Sequence, residues 1–400
     1  MSLRTAIVLM SALGVLSDAI LIAFYPQFFE TRYGLTDPEL VGAYIAAISI
    51  AVMVTLPLWA RVARYVETLH LLVFTQCLAG VLCLASISAA TSTTYWMLSL
   101  LMFMCKSSYL LMFPYLMRHL PAAAHGLTIG LLSVVIHLGN IFGATLGGWL
   151  LQDTGPDACL WLMAAGDFGQ MLICLYLIAS GRVIRDLGQT ATPPAQGTAR
   201  PSSALLKLSV LMLLFDFSVY LVRPFFTIYW ETLTDSDQLV TGLVFAIPGL
   251  VALLALLVKQ QAGRYSWQVP DRLSINLLLG LLGMLLQASP VLPLILLGRC
   301  LYGWSMFQII VKLEVTLFRI STPADYARDF SITNFFQNLG VLLSSFIAGQ
   351  LASHVPLFAI FLIAALGLLV TLLFDRGYCD VERQHAPSHP SESGELNHVH

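Results

Sequence analysis

The stretch GVLSDAILIAFYPQFF, Gly14 to Phe29, sets a full carboxylate, Asp18, inside an apolar run that begins near the N-terminus. About 20 apolar residues suffice to cross a bilayer. A charged side chain in hydrocarbon costs about 3 kcal/mol or more, so this acid needs a partner or a task. Outward from it, the chain of 400 residues is 58% hydrophobic and only 10% charged, with a mean hydropathy of +0.81. A soluble protein carries about 25% charged residues. No small-residue cleavage site follows the first run and further runs of similar length come after it, so it reads as a membrane span rather than a signal peptide.

Twelve such spans can be marked. They include span 1 from Thr5 to Phe28, span 7 from Ala204 to Trp230, span 9 from Leu273 to Ala288, span 10 from Val291 to Val311 and span 11 from Phe330 to Ala352. The expected organisation is an N-terminal six-helix bundle (1–180), a polar linker (181–203), a C-terminal six-helix bundle (204–374) and a disordered tail (375–400). Sixteen of the 20 Lys and Arg fall in loops and tails on one side, and only Arg32 on the other. By the positive-inside rule both termini are expected in the cytoplasm.

The halves repeat. Asp18 stands eight residues before Pro26, and Asp216 eight before Pro224. DPELVG ending at Gly42 answers DQLVTG ending at Gly242, and ARY (63–65) answers GRY (263–265). HLGNIFGATLGGWL (137–150) aligns with NLGVLLSSFIAGQL (338–351). A duplication of this kind, with parallel six-helix halves, places a substrate site at the interface near mid-membrane.

Six charges lie in the interior of the marked spans, Lys207 at the edge of span 7 being counted with the loops: Asp18, Lys106, Asp167, Asp216, Arg223 and Arg299. All but Asp167 sit on spans 1, 4, 7 and 10, the first of each three-helix unit, as expected if these helices face one wet cavity. Asp18, Asp216 and Asp167 are candidates for proton coupling. Asp18 also has a structural reading as the partner of Lys106, and Asp167, on span 6, reads more as structural. Lys106 and Arg299 are candidate anchors for an anionic solute, Arg offering a bidentate fork for carboxylates. Arg223 is a third candidate, or a side chain snorkelling to the outer surface. Tyr25, Tyr109 and Tyr302 are aromatic candidates for the path. Asn334, Gln337 and Asn338 share one face of span 11 by their i, i+3, i+4 spacing, as cavity lining or interhelical glue. His137 reads as a packing residue. No metal site is expected, because His385, His389, His398 and His400 are irregularly spaced in the tail. No cofactor or ATP-binding loop is expected, no hydrolase motif appears, and the net charge of −2 speaks against a nucleic-acid partner.

These features together resemble the major facilitator superfamily, up to about Phe374. GNIFGATLGG (139–148) is similar to the span 5 motif of its proton antiporters, with Gly139, Gly143, Gly147 and Gly148 allowing close helix packing and Ala144 in place of the usual Pro. GRCLYG (298–303) resembles the motif of drug/proton antiporters that starts with a basic residue in the membrane, better than the stretch after Lys106 does, where Leu110 replaces a Gly. The loop after span 2, LPLWARVARY, keeps only Arg61 and Arg64 of the family's cytoplasmic gate motif, with Ala60 and Ala63 where Asp and Gly belong. SDAILIAFYPQFF with MCKSSYLLMFPYLM (104–117) looks most like a bacterial branch linked to export of carboxylate-type siderophores. The resemblance implies an all-α inner-membrane protein, acting as a monomer on a small-molecule substrate and protons by alternating access. Multidrug/proton antiport, proton-coupled uptake and a non-transporting scaffold stand as alternatives.

Overall fold

In the computed structural model the described residues are 3–22, 24–36, 38–181, 201–223, 225–234, 238–265 and 272–379. Most of the expected linker and tail, with Arg182, Arg185, Arg200, Arg383 and the four tail histidines, lies outside them, as does Pro224. Fifteen α-helices run α1 (Leu3–Ile22), α2 (Tyr25–Tyr33), α3 (Pro38–Val62), α4 (Thr68–Ile87), α5 (Ser92–Lys106), α6 (Met112–Arg118), α7 (Ala122–Asp153), α8 (Pro156–Ala179), α9 (Ser203–Val222), α10 (Phe226–Leu233), α11 (Gln238–Tyr265), α12 (Leu273–Gln287), α13 (Leu292–Ile320), α14 (Tyr326–His354) and α15 (Leu357–Phe374). The described residues contain no strand. Among the described residues, eleven helical stretches are long and apolar enough to cross a membrane; α12, at 15 residues, is apolar but shorter.

Local chemistry starts and stops these helices. Thr91 and Ser202 cap α5 and α9, their hydroxyls accepting from Thr94 N at 3.2 Å and Leu205 N at 3.1 Å. Pro156 opens α8 at the first helical position, where its missing N–H costs nothing. Gly34 closes α2 in the left-handed region at φ 66°, with its N–H donating to Glu30 O.

Three expected spans are not single rods. Span 1 divides into α1 and α2, and span 7 into α9 and α10, at equivalent places in the two repeats. Span 4 changes from α5 through a 3₁₀ segment (Ser107–Leu111) into α6. Span 10 corrects the reading in another way. The helix does not stop at Val311 but continues to Ile320, so Lys312 and Glu314, read as loop, are helical and buried.

Each half is knitted by the same pair of elements. In the first, α7 lies on α1: a Cβ on Gly143 would meet Leu16 O at 2.6 Å, and one on Gly147 would meet Ile20 O at 1.9 Å. In the second, α14 lies on α9, where a Cβ on Gly340 would meet Leu213 O at 2.5 Å. Between halves, α7 packs on α11 and α13, and α3 on α14. Toward the Arg-rich end the seam is aromatic. Phe113 of α6 stacks on Phe318 of α13 and Phe330 of α14, with ring centroids 5.5 and 5.2 Å apart, and His125 of α7 meets Phe318 edge-on. At the other end of the first half, Tyr25, Phe28, Phe29, Tyr44 and Tyr95 form a buried aromatic cluster. Arg32 ties that end together, pairing with Asp157 and donating to Ile87 O.

Candidate functional site

Lys106 is the last residue of α5, fully buried, where the helix gives way to the 3₁₀ segment. Its Nζ lies 2.9 Å from Asp18 Oδ1 and 2.9 Å from Asp167 Oδ1, and donates to Ser17 Oγ at 3.0 Å. Ser17 Oγ donates in turn to Met163 O at 3.0 Å. One cation thus pins α1, α5 and α8, and the cluster carries one negative charge in excess. Asp167 is closed off, whereas Asp18 keeps 24% of its side chain exposed and is the member that solvent reaches. Tyr109 stands beside Asp18.

The tight 3₁₀ turn that presents Lys106 is held by side chains. Ser107 Oγ shares a hydrogen bond with Thr55 of α3 at 2.9 Å, and Ser108 Oγ with Thr75 of α4 at 2.6 Å. Gln76 Nε2 donates to Lys106 O at 3.4 Å. These contacts compensate the poorer backbone geometry of a 3₁₀ segment.

Arg299 has different company. It is buried, its Nε donates to Val244 O at 3.3 Å, and its Nη2 donates to Phe245 O. The guanidinium lies 3.9 Å from the ring centroid of Phe226, a cation–π contact. The Val244 carbonyl is free because Pro248, four residues on in α11, has no N–H to offer it. Gly303, one turn beyond Arg299, lets α13 approach that proline; a Cβ there would fall 2.6 Å from Pro248 Cα. No carboxylate pairs with Arg299 among the described residues. Arg223 and Tyr302 lie within electrostatic range of it. Arg223, exposed at the α9–α10 break, lies 5.1 Å from the Tyr220 ring and within range of His137 of the other half.

The remaining candidates separate. Tyr25 is fully buried among aromatic side chains, 4.9 Å from the Tyr44 ring, and shows no surface to a path. Asn338 Nδ2 donates to Asn334 O and Oδ1, both at 2.8 Å, so these two are partly spent on each other. Gln337, on the same face of α14, reaches Asp216 and Glu314. Gly139, Gly143, Gly147 and Gly148 all pack α7 on span 1, against Val15, Leu16, Ile20 and Phe24. Arg61 and Arg64 are exposed at the end of α3 and make no ion pair among the described residues. Glu314 is the residue that sequence reasoning missed. The continuing apolar pattern of VKLEVTLF was the available signal.

The profile of the Major Facilitator Superfamily matches residues 7–270. The chain belongs to the Major Facilitator Superfamily. Similar relatives include the multidrug resistance protein MdtG of Klebsiella pneumoniae (strain 342), 23% identical over 253 residues, and that of Dickeya zeae (strain Ech586), 23% identical over 263. The matched stretches cover 62% and 64% of this chain, and only 61% and 63% of those relatives. Among solved structures, the human organic anion transporter MFSD10 (TETRAN) superposes with a TM-score of 0.76 at 14% identity, over 93% of this chain and 98% of that one. The proton:xylose symporter XylE, bound to 6-bromo-6-deoxy-D-glucose, gives 0.69 at 14% identity, over 94% and 96%. At that identity the structures establish the superfamily fold alone. As a member of the superfamily, the chain is an all-helical, multi-pass membrane protein.

Proposed function

We propose that the chain is a secondary transporter that exports a small organic anion, with a carboxylate siderophore as the leading class, in exchange for protons. It works by alternating access between its two halves in a bacterial inner membrane, as a monomer with both termini in the cytoplasm. The observation that carries the reading is Arg299, a buried guanidinium with no carboxylate partner among the described residues, within electrostatic range of Arg223 and Tyr302. A desolvated cation of this kind recovers its lost hydration from an anion that enters beside it. The Asp18–Lys106–Asp167 cluster offers the acids at which a proton can compete.

The test uses inside-out vesicles from cells making the chain, with a panel of carboxylated fluorescent dyes outside. Acidifying the lumen should drive uptake of a carboxylated dye, a protonophore should abolish it, and Arg299→Gln should lower it at least tenfold. Uptake indifferent to the proton gradient would overturn the coupling, and undiminished uptake by Arg299→Gln would overturn the anion site. A second reading, multidrug efflux, is favoured by the MdtG relatives and by the excess negative charge at Asp18, which suits a cationic drug. Uptake of a cationic dye in place of the carboxylated ones would establish that reading instead.

A further inference from the structure

Asp216 on α9 and Glu314 on α13 are both buried, and none of the ion pairs among the described residues involves either. Asp216 Oδ2 and Glu314 Oε2 are shut away from solvent without a hydrogen-bond partner. Gln337 of α14 lies within reach of both carboxyls. Among the described residues, the groups that act on them supply no counter-charge. Tyr302 of α13 lies within electrostatic range of Asp216 and is neutral as a phenol. Asn334 and Asn338 of α14 are uncharged, and α12 and α15 contain no ionisable side chain. Neither Lys312, two residues before Glu314, nor Lys259 of α11 is among the groups that act on either carboxyl. Arg299 is turned to the carbonyls of α11, and Arg328 to Asp325 and Asp329. From α7, His137 is bonded to Ser133 O and His125 to Met117 O.

The comparison with the other half is instructive. The offset that carries Asp18 to Asp216 carries Lys106 to Trp304, so the duplicated site has kept its acid and has no lysine. Two ionised carboxyls joined by one neutral amide, away from water, repel each other and lack solvation. One proton removes that repulsion. Gln337 then donates to the carboxylate and accepts from the acid, which uses both faces of its amide.

We propose that Asp216, Glu314 and Gln337 form a second proton-binding site, in which two carboxyls hold one proton between them where the first half holds Lys106. Loss of that proton to water takes the pair from a charge of −1 to −2, and uptake of another takes it to zero. The two steps belong to the pair and not to either residue. That this proton is among those exchanged for substrate rests on the transport reading above; its binding does not.

The experiment is a pH titration of the purified full chain in liposomes, followed by the infrared absorption of protonated carboxyls. The wild type should show two separated steps that Asp18→Asn leaves in place. Glu314→Gln and Asp216→Asn should each leave one step, at a pH below the wild type's upper one because the neighbouring charge has gone. Gln337→Leu keeps both carboxyls and should move both steps. Two steps surviving in the Asp216→Asn/Glu314→Gln double variant would overturn the proposal. So would a single-variant step that does not shift, or a Gln337→Leu titration identical to wild type. The expected titrations alongside dye uptake indifferent to the proton gradient would support the site and overturn only the transport reading.

Discussion

Replacing Lys106 by Met tests the three-helix cluster most directly. Met keeps an unbranched side chain of similar reach but removes the ammonium that lies 2.9 Å from each of two carboxylates. Coulomb's law at an effective dielectric of about 20 gives about 6 kcal/mol of attraction for each such pair, before desolvation is subtracted. Stripping the partner from a buried charge costs about 3–5 kcal/mol in practice, a large share of a total stability of about 5–15 kcal/mol. Most of the loss should come from Asp167, which is closed off, and less from Asp18, which water reaches. Adding Asp167→Asn removes the stranded charge and should recover about half of the loss or more, a coupling that a double-mutant cycle reads directly. The deficit of Lys106→Met should also narrow as the pH falls, because protonation neutralises the stranded Asp167. Cys83, Cys159 and Cys174 are buried free thiols, so a thiol-reactive dye reports thermal unfolding of the detergent-purified protein without a further label. Lys106→Met melting with the wild type, or Asp167→Asn worsening it, would refute the reasoning.

Gly147→Ala should cost about 1–3 kcal/mol or more in the same assay, because its Cβ would fall 1.9 Å from Ile20 O and force α7 off α1. Gly349→Ala, which meets nothing within 4 Å, should be neutral to slightly stabilising. Phe318→Ala removes the ring shared by Phe113, His125 and Tyr326. It should speed the reaction of a thiol reagent with Val315→Cys, which faces Gly126 across the two halves.

The helices were legible because a bilayer leaves few alternatives to apolar stretches of about 20 residues. The same patterning misplaced what depends on three dimensions. Span 10 was closed at Val311 because Lys312 and Glu314 look like the start of a loop, whereas the helix carries both on to Ile320. The duplication pointed to Asp216 but not to its companion, since Glu314 has no acidic counterpart in the first half to align with. Lys106 reads as an anchor for an anion or as the partner of Asp18, and the fold gives it Asp18 together with Asp167, a second carboxylate from a helix far along the chain. Pairing of that sort leaves no trace in local spacing. Tyr25 reads from sequence as an aromatic candidate for the path, and the fold packs it into a buried aromatic cluster after the break that follows α1.

The 3₁₀ segment between α5 and α6 links the ion cluster to the aromatic seam, with Lys106 just before it and Phe113 just after. A 3₁₀ residue advances about 0.5 Å further and turns about 20° more than an α-helical one. Rewinding these five residues as α-helix would shorten span 4 by about 2.5 Å and swivel α6 by about 100° relative to Lys106. The span is built as a screw: a change in the charge around Lys106 that relaxes Ser107 and Ser108 from Thr55 and Thr75 would be delivered, as rotation, to the ring that Phe113 presses against Phe318 and Phe330.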